Sequence, residues 1–137
     1  MNLDGFALPV KKLKGTDPVE TLDLSRKHLG VASSVVIASL ISVNGGLTEL
    51  SFYGNWVGDE GVGAICEAIK SNKETKLASL NFGNNSIGPV GAKSVAAMVA
   101  VTCTLTECNL SNNNMGEEGK ASICFAVQGK AGFHLHL

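Results

Sequence analysis

Four stretches of this chain lie over one another: VETLDLSRKHLG from Val19, LTELSFYGNWVG from Leu47, LASLNFGNNSIG from Leu77 and LTECNLSNNNMG from Leu105. The first and third intervals between these starts are equal, and the second is longer by two, the extra positions lying near Ser71 to Lys76. Several columns agree at once. Three places after each start stand Leu22, Leu50, Leu80 and Cys108; five after stand Leu24, Phe52, Phe82 and Leu110. Eight after come Lys27, Asn55, Asn85 and Asn113, and eleven after is always glycine, at Gly30, Gly58, Gly88 and Gly116. A period of this length repeats a whole supersecondary unit, and no such unit buries its apolar flank alone. Whatever else the chain does, its units must stack.

Each unit opens on a period-two alternation, which suits a short strand with one apolar face. The second half changes to helical spacing, as in Val36, Ile37, Leu40 and Ile41, or Ile65, Ala68 and Ile69. The shared glycine sits between the two, where a tight turn is needed. Stacking such units gives a parallel sheet on one side and a helix layer on the other.

The pattern L-x-x-L-x-L-x-x-N-x-ϕ-G, with ϕ apolar, resembles the leucine-rich repeat family, and the length of the unit resembles that of its ribonuclease-inhibitor-like class. The likeness covers residues 19 to 132, with Lys27 as the clearest departure. The expected fold is therefore α/β: a short solenoid with parallel strands on the concave face and helices on the convex face. Residues 1–18 read as an N-terminal cap, 19–46, 47–76, 77–104 and 105–132 as four repeats, and 133–137 as the first strand of an incomplete fifth.

The asparagines at Asn55, Asn85 and Asn113 form a column just past the strand. An inward amide there can satisfy backbone groups left unpaired where the strand bends away, and the family resemblance implies the same structural ladder. Asn112 and Asn114, which flank the column, are expected to face solvent.

The chain ends on KAGFHLHL. A fourth unit shorter by one than the first puts Leu135 and Leu137 toward the core, whereas one of equal length would bury His136, so the shorter register is preferred. Such an edge strand invites pairing unless it is covered. Either a partner packs there or the chain belongs to a longer product. Phe133, His134, Leu135, His136 and Leu137 are thus candidate partner contacts.

Reactive chemistry finds little support. Cys66 and Cys124 share a column with Ala38 and Ala96, so both are expected to be small buried residues; Cys108 replaces a core leucine, and Cys103 falls in a loop. No C-x-x-C is present. His134 and His136 share one strand face without a third ligand, so no metal is expected. The phosphate-loop fragments around Gly88 and Gly116 follow from the repeat's own glycines and miss the full motif. Asp59, Glu60, Glu117 and Glu118 stand at helix starts, where acids favour the helix dipole. No catalytic set and no cofactor are expected.

A formal net charge of −1 offers no broad cationic surface for nucleic acid. The N-terminus lacks a basic leader and a long apolar run, which leads us to expect no secretory signal, no membrane span and an intracellular location.

What remains is the outward strand face: Glu49, Ser51, Tyr53 and Trp56 in the second unit, Asn81 and Asn84 in the third, Glu107, Asn109 and Asn112 in the fourth. Tyr53 and Trp56 are the only tyrosine and tryptophan, and aromatics among polar groups favour contacts. Trp56 could equally fold over its loop as a surface staple. The expectation is a non-catalytic protein-binding module or scaffold subunit whose assembly also covers the C-terminal edge. The resemblance further implies two alternatives. One is a regulator of a small GTPase, as in Ran GTPase-activating proteins; the other is a fragment of a longer repeat receptor.

Overall fold

A computed structural model describes residues 2–3 and 6–137, with Met1, Asp4 and Gly5 of the expected cap outside the described residues. At the N-terminus Asn2–Leu3 (β1) pairs antiparallel with Phe6–Ala7 (β2), and a short helix follows over Val10–Lys14 (α1). Leu8 and Leu13 are buried and join the core of the following repeat. Lys11, Lys12 and Lys14 are exposed on α1.

Strand and helix then alternate: Thr21–Asp23 (β3), Val31–Ile41 (α2), Glu49–Ser51 (β4), Gly58–Ser71 (α3), Ser79–Asn81 (β5), Pro89–Val101 (α4), Glu107–Asn109 (β6), Gly116–Ala126 (α5) and His134–His136 (β7). The five strands β3 to β7 lie in sequence order in one parallel sheet. Leu22, Leu50, Leu80, Cys108 and Leu135 stand side by side in register. Against the spacing from Leu22 to Leu50, Leu80 therefore comes two places late and Leu135 one place early. The chain forms a short leucine-rich-repeat solenoid, with strands on its concave face and helices on its convex face.

The core lies between sheet and helices. Phe52 and Phe82 stack there with centroids 5.5 Å apart and planes 7° from parallel. Helices come close because glycine lines their contacts. A Cβ on Gly61 would sit 2.9 Å from Ser34 Oγ, and one on Gly91 would sit 2.6 Å from Asp59 Oδ1 and 2.9 Å from Val62 Cγ1. Those glycines thus answer to the neighbouring repeat. The shared turn glycine is used in two ways. Gly30 and Gly88 are extended caps, while Gly58 and Gly116 take left-handed φ of 67° and 69°. Among the described residues no helix is long and apolar enough to cross a membrane.

Candidate functional site

Because side chains alternate across a strand, the partners of the buried leucines point away from the helices. Thr21, Asp23, Glu49, Ser51, Ser79, Asn81, Glu107, Asn109 and His136 line a shallow groove of about 290 Å³ running across the sheet. Its carboxylates are Asp23, Glu49 and Glu107, and among the described residues no lysine or arginine lines it. Ser25 Oγ and Ser51 Oγ lie 2.8 Å apart, Ser79 Oγ donates to Glu107 Oε1 at 3.0 Å, and His136 Nε2 lies 3.9 Å from Glu107 Oε2. Hydrogen bonds from the Ser25 side chain and amide, with Lys27 nearby, hold the Asp23 carboxyl below its ordinary value.

The last strand residue of each of the four repeats also shapes the turn. Asp23, Ser51, Asn81 and Asn109 each accept, through the side chain, the amide N–H two places on: Ser25, Tyr53, Gly83 and Ser111. Asn109 Oδ1 takes the Ser111 hydroxyl as well, at 2.7 Å. These bonds fix the orientation of the groups that edge the groove.

The strand face is shorter than the sequence suggested. Strand conformation ends after three residues per repeat, because the chain then turns to bring the asparagine inward, although backbone bonds between repeats run on through Arg26 N to Tyr53 O and Gly54 N to Gly83 O. Tyr53, Trp56, Asn84 and Asn112, expected on the concave face, therefore lie in the loops beyond the strands. Asn84 and Asn112 are exposed, with left-handed φ of 55° and 58°. The Tyr53 ring lies against Gly83, where a Cβ would fall 2.8 Å from Tyr53 Cδ2, and Arg26 Cζ sits 5.5 Å from the ring centroid. Trp56 packs on His28 with centroids 5.0 Å apart, so the two aromatics rest on separate residues of the preceding repeat.

Asn55, Asn85 and Asn113 stitch each repeat to the one before. Asn55 Oδ1 accepts from the amides of Lys27 and Leu29, and its Nδ2 donates to the carbonyls of Leu24 and Phe52. Asn113 does the same for Asn85 N, Ile87 N, Phe82 O and Leu110 O. Asn85 Nδ2 donates to Phe52 O and Gly83 O. Asn112 and Asn114 are exposed.

A second ladder, missed in the sequence, runs along the other end of the strands. Asn44 Nδ2 donates to Lys12 O and Leu13 O, fastening α1 to the first repeat. Asn72 Nδ2 donates to Ile41 O and Asn44 O. The signal was available, since Asn44 and Asn72 occupy one column when counted from Val19 and Leu47.

Cys66 and Cys108 are buried, and burial pushes both thiols up, Cys108 to about 12. Cys124 corrects the expectation of a buried column: it is exposed, because among the described residues no helix packs on the far side of α5. At the C-terminal edge His134 and His136 are exposed, and Phe133 and Leu135 are half-buried. Leu137, expected in the core, is 40 % exposed.

The family profile described as Leucine Rich repeat matches residues 47–66, 73–96 and 102–124. The mouse (Mus musculus) protein "NACHT, LRR and PYD domains-containing protein 12" is 36 % identical over 115 residues, 84 % of this chain and 10 % of its own length. The mouse ribonuclease inhibitor is 33 % identical over 92 residues, 67 % of this chain and 20 % of that protein. The chain thus spans 10 % to 20 % of the length of these relatives. Among solved structures, "Leiomodin-1 Actin-Binding Site 2 (ABS2)" superposes with a TM-score of 0.78 at 18 % identity, covering 93 % of this chain and 76 % of that one, a likeness of fold. Repeat columns, sheet topology and relatives agree: this chain belongs to the leucine-rich repeat proteins, in their ribonuclease-inhibitor-like class.

Proposed function

We propose that the chain is a non-catalytic protein-binding module, a scaffold subunit that presents its concave strand face and its C-terminal edge to a protein partner within an intracellular assembly. The observation that carries this reading is the acidic groove of Asp23, Glu49 and Glu107, in which Asp23 and Glu107 are oriented by hydrogen bonds from the turn and the neighbouring strand. A preorganised surface of that sign suits an extended basic segment of a protein and repels the phosphates of nucleic acid. Two similar proteins carry names that speak of protein partners, an inhibitor of ribonuclease and an actin-binding site.

Area sets a limit on the groove. Five strands of three residues give only about 240 Å² of sheet, whereas a standard interface takes about 800 Å² from each partner. The footprint must therefore extend past the sheet, and the edge of Phe133, His134, Leu135, His136 and Leu137 is its natural continuation. Cross-linking in native extract, followed by peptide mapping, tests this. Partner cross-links should map to the groove and the C-terminal edge and should fall at least tenfold in the Glu49→Lys, Glu107→Lys double variant. Unchanged capture by that variant would remove the groove from the interface.

A further inference from the structure

Beyond the strands, Arg26, Lys27 and His28 of the first repeat are exposed beside Tyr53 and Trp56 of the second. This corner differs in sign from the acidic groove and is built rather than incidental. Arg26 takes a left-handed φ of 55°, where the matching positions hold Gly54, Asn84 and Asn112, residues that suit that backbone. His28 is left-handed as well, at 57°. The aliphatic stem of Arg26 fills the space above Gly54, where a Cβ would stand 3.0 Å from Arg26 Cγ, and its guanidinium rests over the Tyr53 ring. Among the described residues no carboxylate pairs with that guanidinium. Arg26 is exposed with its stem and its head both supported, so little freedom is lost when its fork receives a carboxylate through two parallel hydrogen bonds. Next to it Trp56 is 62 % exposed yet fixed, its amide donating to Leu29 O at 2.9 Å and its ring packed on His28.

We infer that this corner receives an acidic protein segment, one carboxylate of which pairs with Arg26 while a neighbouring apolar residue covers Trp56. The inference rests on the protein-binding reading above and gives that partner a second, oppositely charged contact. A nucleic acid fits less well. Its continuous phosphates would meet Asp23, which lies near Lys27, and Glu49 in the adjoining groove, whereas a protein segment can place one carboxylate on Arg26 and present other residues to the groove.

Trp56 is the only tryptophan, so its fluorescence reports on the corner directly. The purified chain is titrated into the millimolar range with three probes: a peptide of alternating glutamate and leucine, its glutamine-for-glutamate counterpart, and a single-stranded oligouridylate. The glutamate peptide should give a saturable change in emission, and the other two should give at least tenfold weaker responses. Arg26→Asn, which suits the left-handed backbone and whose fold is checked by circular dichroism, should weaken the glutamate peptide at least tenfold. Equal titration by glutamate and glutamine peptides, a stronger response to the oligouridylate, no response at all, or indifference to Arg26→Asn would each overturn the inference. If groove-dependent partner capture persists while the peptide fails, only the corner is wrong. If the peptide binds but groove variants leave capture unchanged, the groove reading falls and the corner stands.

Discussion

Repeats two and four of this solenoid carry nearly the same pattern, yet the same columns live in different environments. Asn55 is 1 % exposed and Asn113 is half-buried; Cys66 is 2 % exposed and Cys124 is open to solvent. Val62 faces the next helix and is fully buried, whereas its counterpart in the fourth repeat is Lys120. Nothing within either repeat dictates this. Burial comes from the neighbour on the far side, which repeat two has in α4 and which, among the described residues, repeat four lacks beyond β7. Stability in such an array is a sum of unit and interface terms, so equal substitutions should cost unequal amounts along the stack.

The sharpest contrast is between the two ladder asparagines. Asn55→Ala takes the side-chain partner from the Lys27 and Leu29 amides and from the Leu24 carbonyl, while Phe52 O keeps its bond from Asn85 Nδ2, and each unmet buried group costs roughly 1–3 kcal/mol. Allowing for relaxation, urea denaturation should show a loss of about 4 kcal/mol, a large share of a small domain's stability. Asn113→Ala removes a similar set of bonds from a half-buried position, where water can replace some of them, and should cost about 1–2 kcal/mol. Equal losses would mean that the terminal rung is as tightly covered as the inner ones.

The helix contacts give a smaller test of the same idea. Gly91→Ala places a methyl 2.6 Å from Asp59 Oδ1 and 2.9 Å from Val62 Cγ1, both on α3, so α3 and α4 must part. We expect a loss of about 2 kcal/mol. Lys120→Ala, on the flank of α5 away from α4, should change stability by less than about 0.5 kcal/mol. A loss of Lys120 as costly as the Gly91 change would show that α5 is covered.

Much of the fold is legible in the sequence, and the misreadings lie outside what the pattern of a single repeat records. The leucine columns, the strand–helix alternation and the Asn55 ladder depend on residues within a repeat, which is why the pattern displays them. Errors arise where the environment is set between repeats or by backbone geometry. Column logic gives Cys124 the burial of Cys66, although among the described residues no helix covers the far side of α5. Alternation extends the strand to Tyr53, with Trp56 just beyond the ladder asparagine, because it says nothing about where strand conformation stops; the turn that brings Asn55 inward ends it after Ser51. Gly61 and Gly91 read as echoes of the period, since a sequence cannot show which neighbour a missing Cβ makes room for. The Asn44 and Asn72 ladder is hidden for a different reason: its third position is Thr102, which carries no amide and bonds back through its hydroxyl to Met98 O of α4.

Ionisation of the thiols makes the mildest test. Cys66 and Cys108 are buried, and their thiols are pushed above the ordinary value of 9.0, Cys108 to about 12, chiefly because burial penalises the thiolate. Below the ordinary value the unfolded chain also keeps these protons, so their contribution to stability is fully present. As pH rises toward about 12 the unfolded thiols ionise while folding holds the native ones neutral, and that contribution is lost. One pH unit above the ordinary value the loss should be about 1 kcal/mol for Cys108, with Cys66 acting in the same direction, and Cys108→Ala should flatten that part of the stability profile. Near neutral pH a thiol reagent should modify Cys103 and Cys124 promptly and reach Cys66 and Cys108 only on unfolding. Rapid modification of Cys66 would mean that α3 and α4 separate in the native state, and the interior would then be no better sealed than the end.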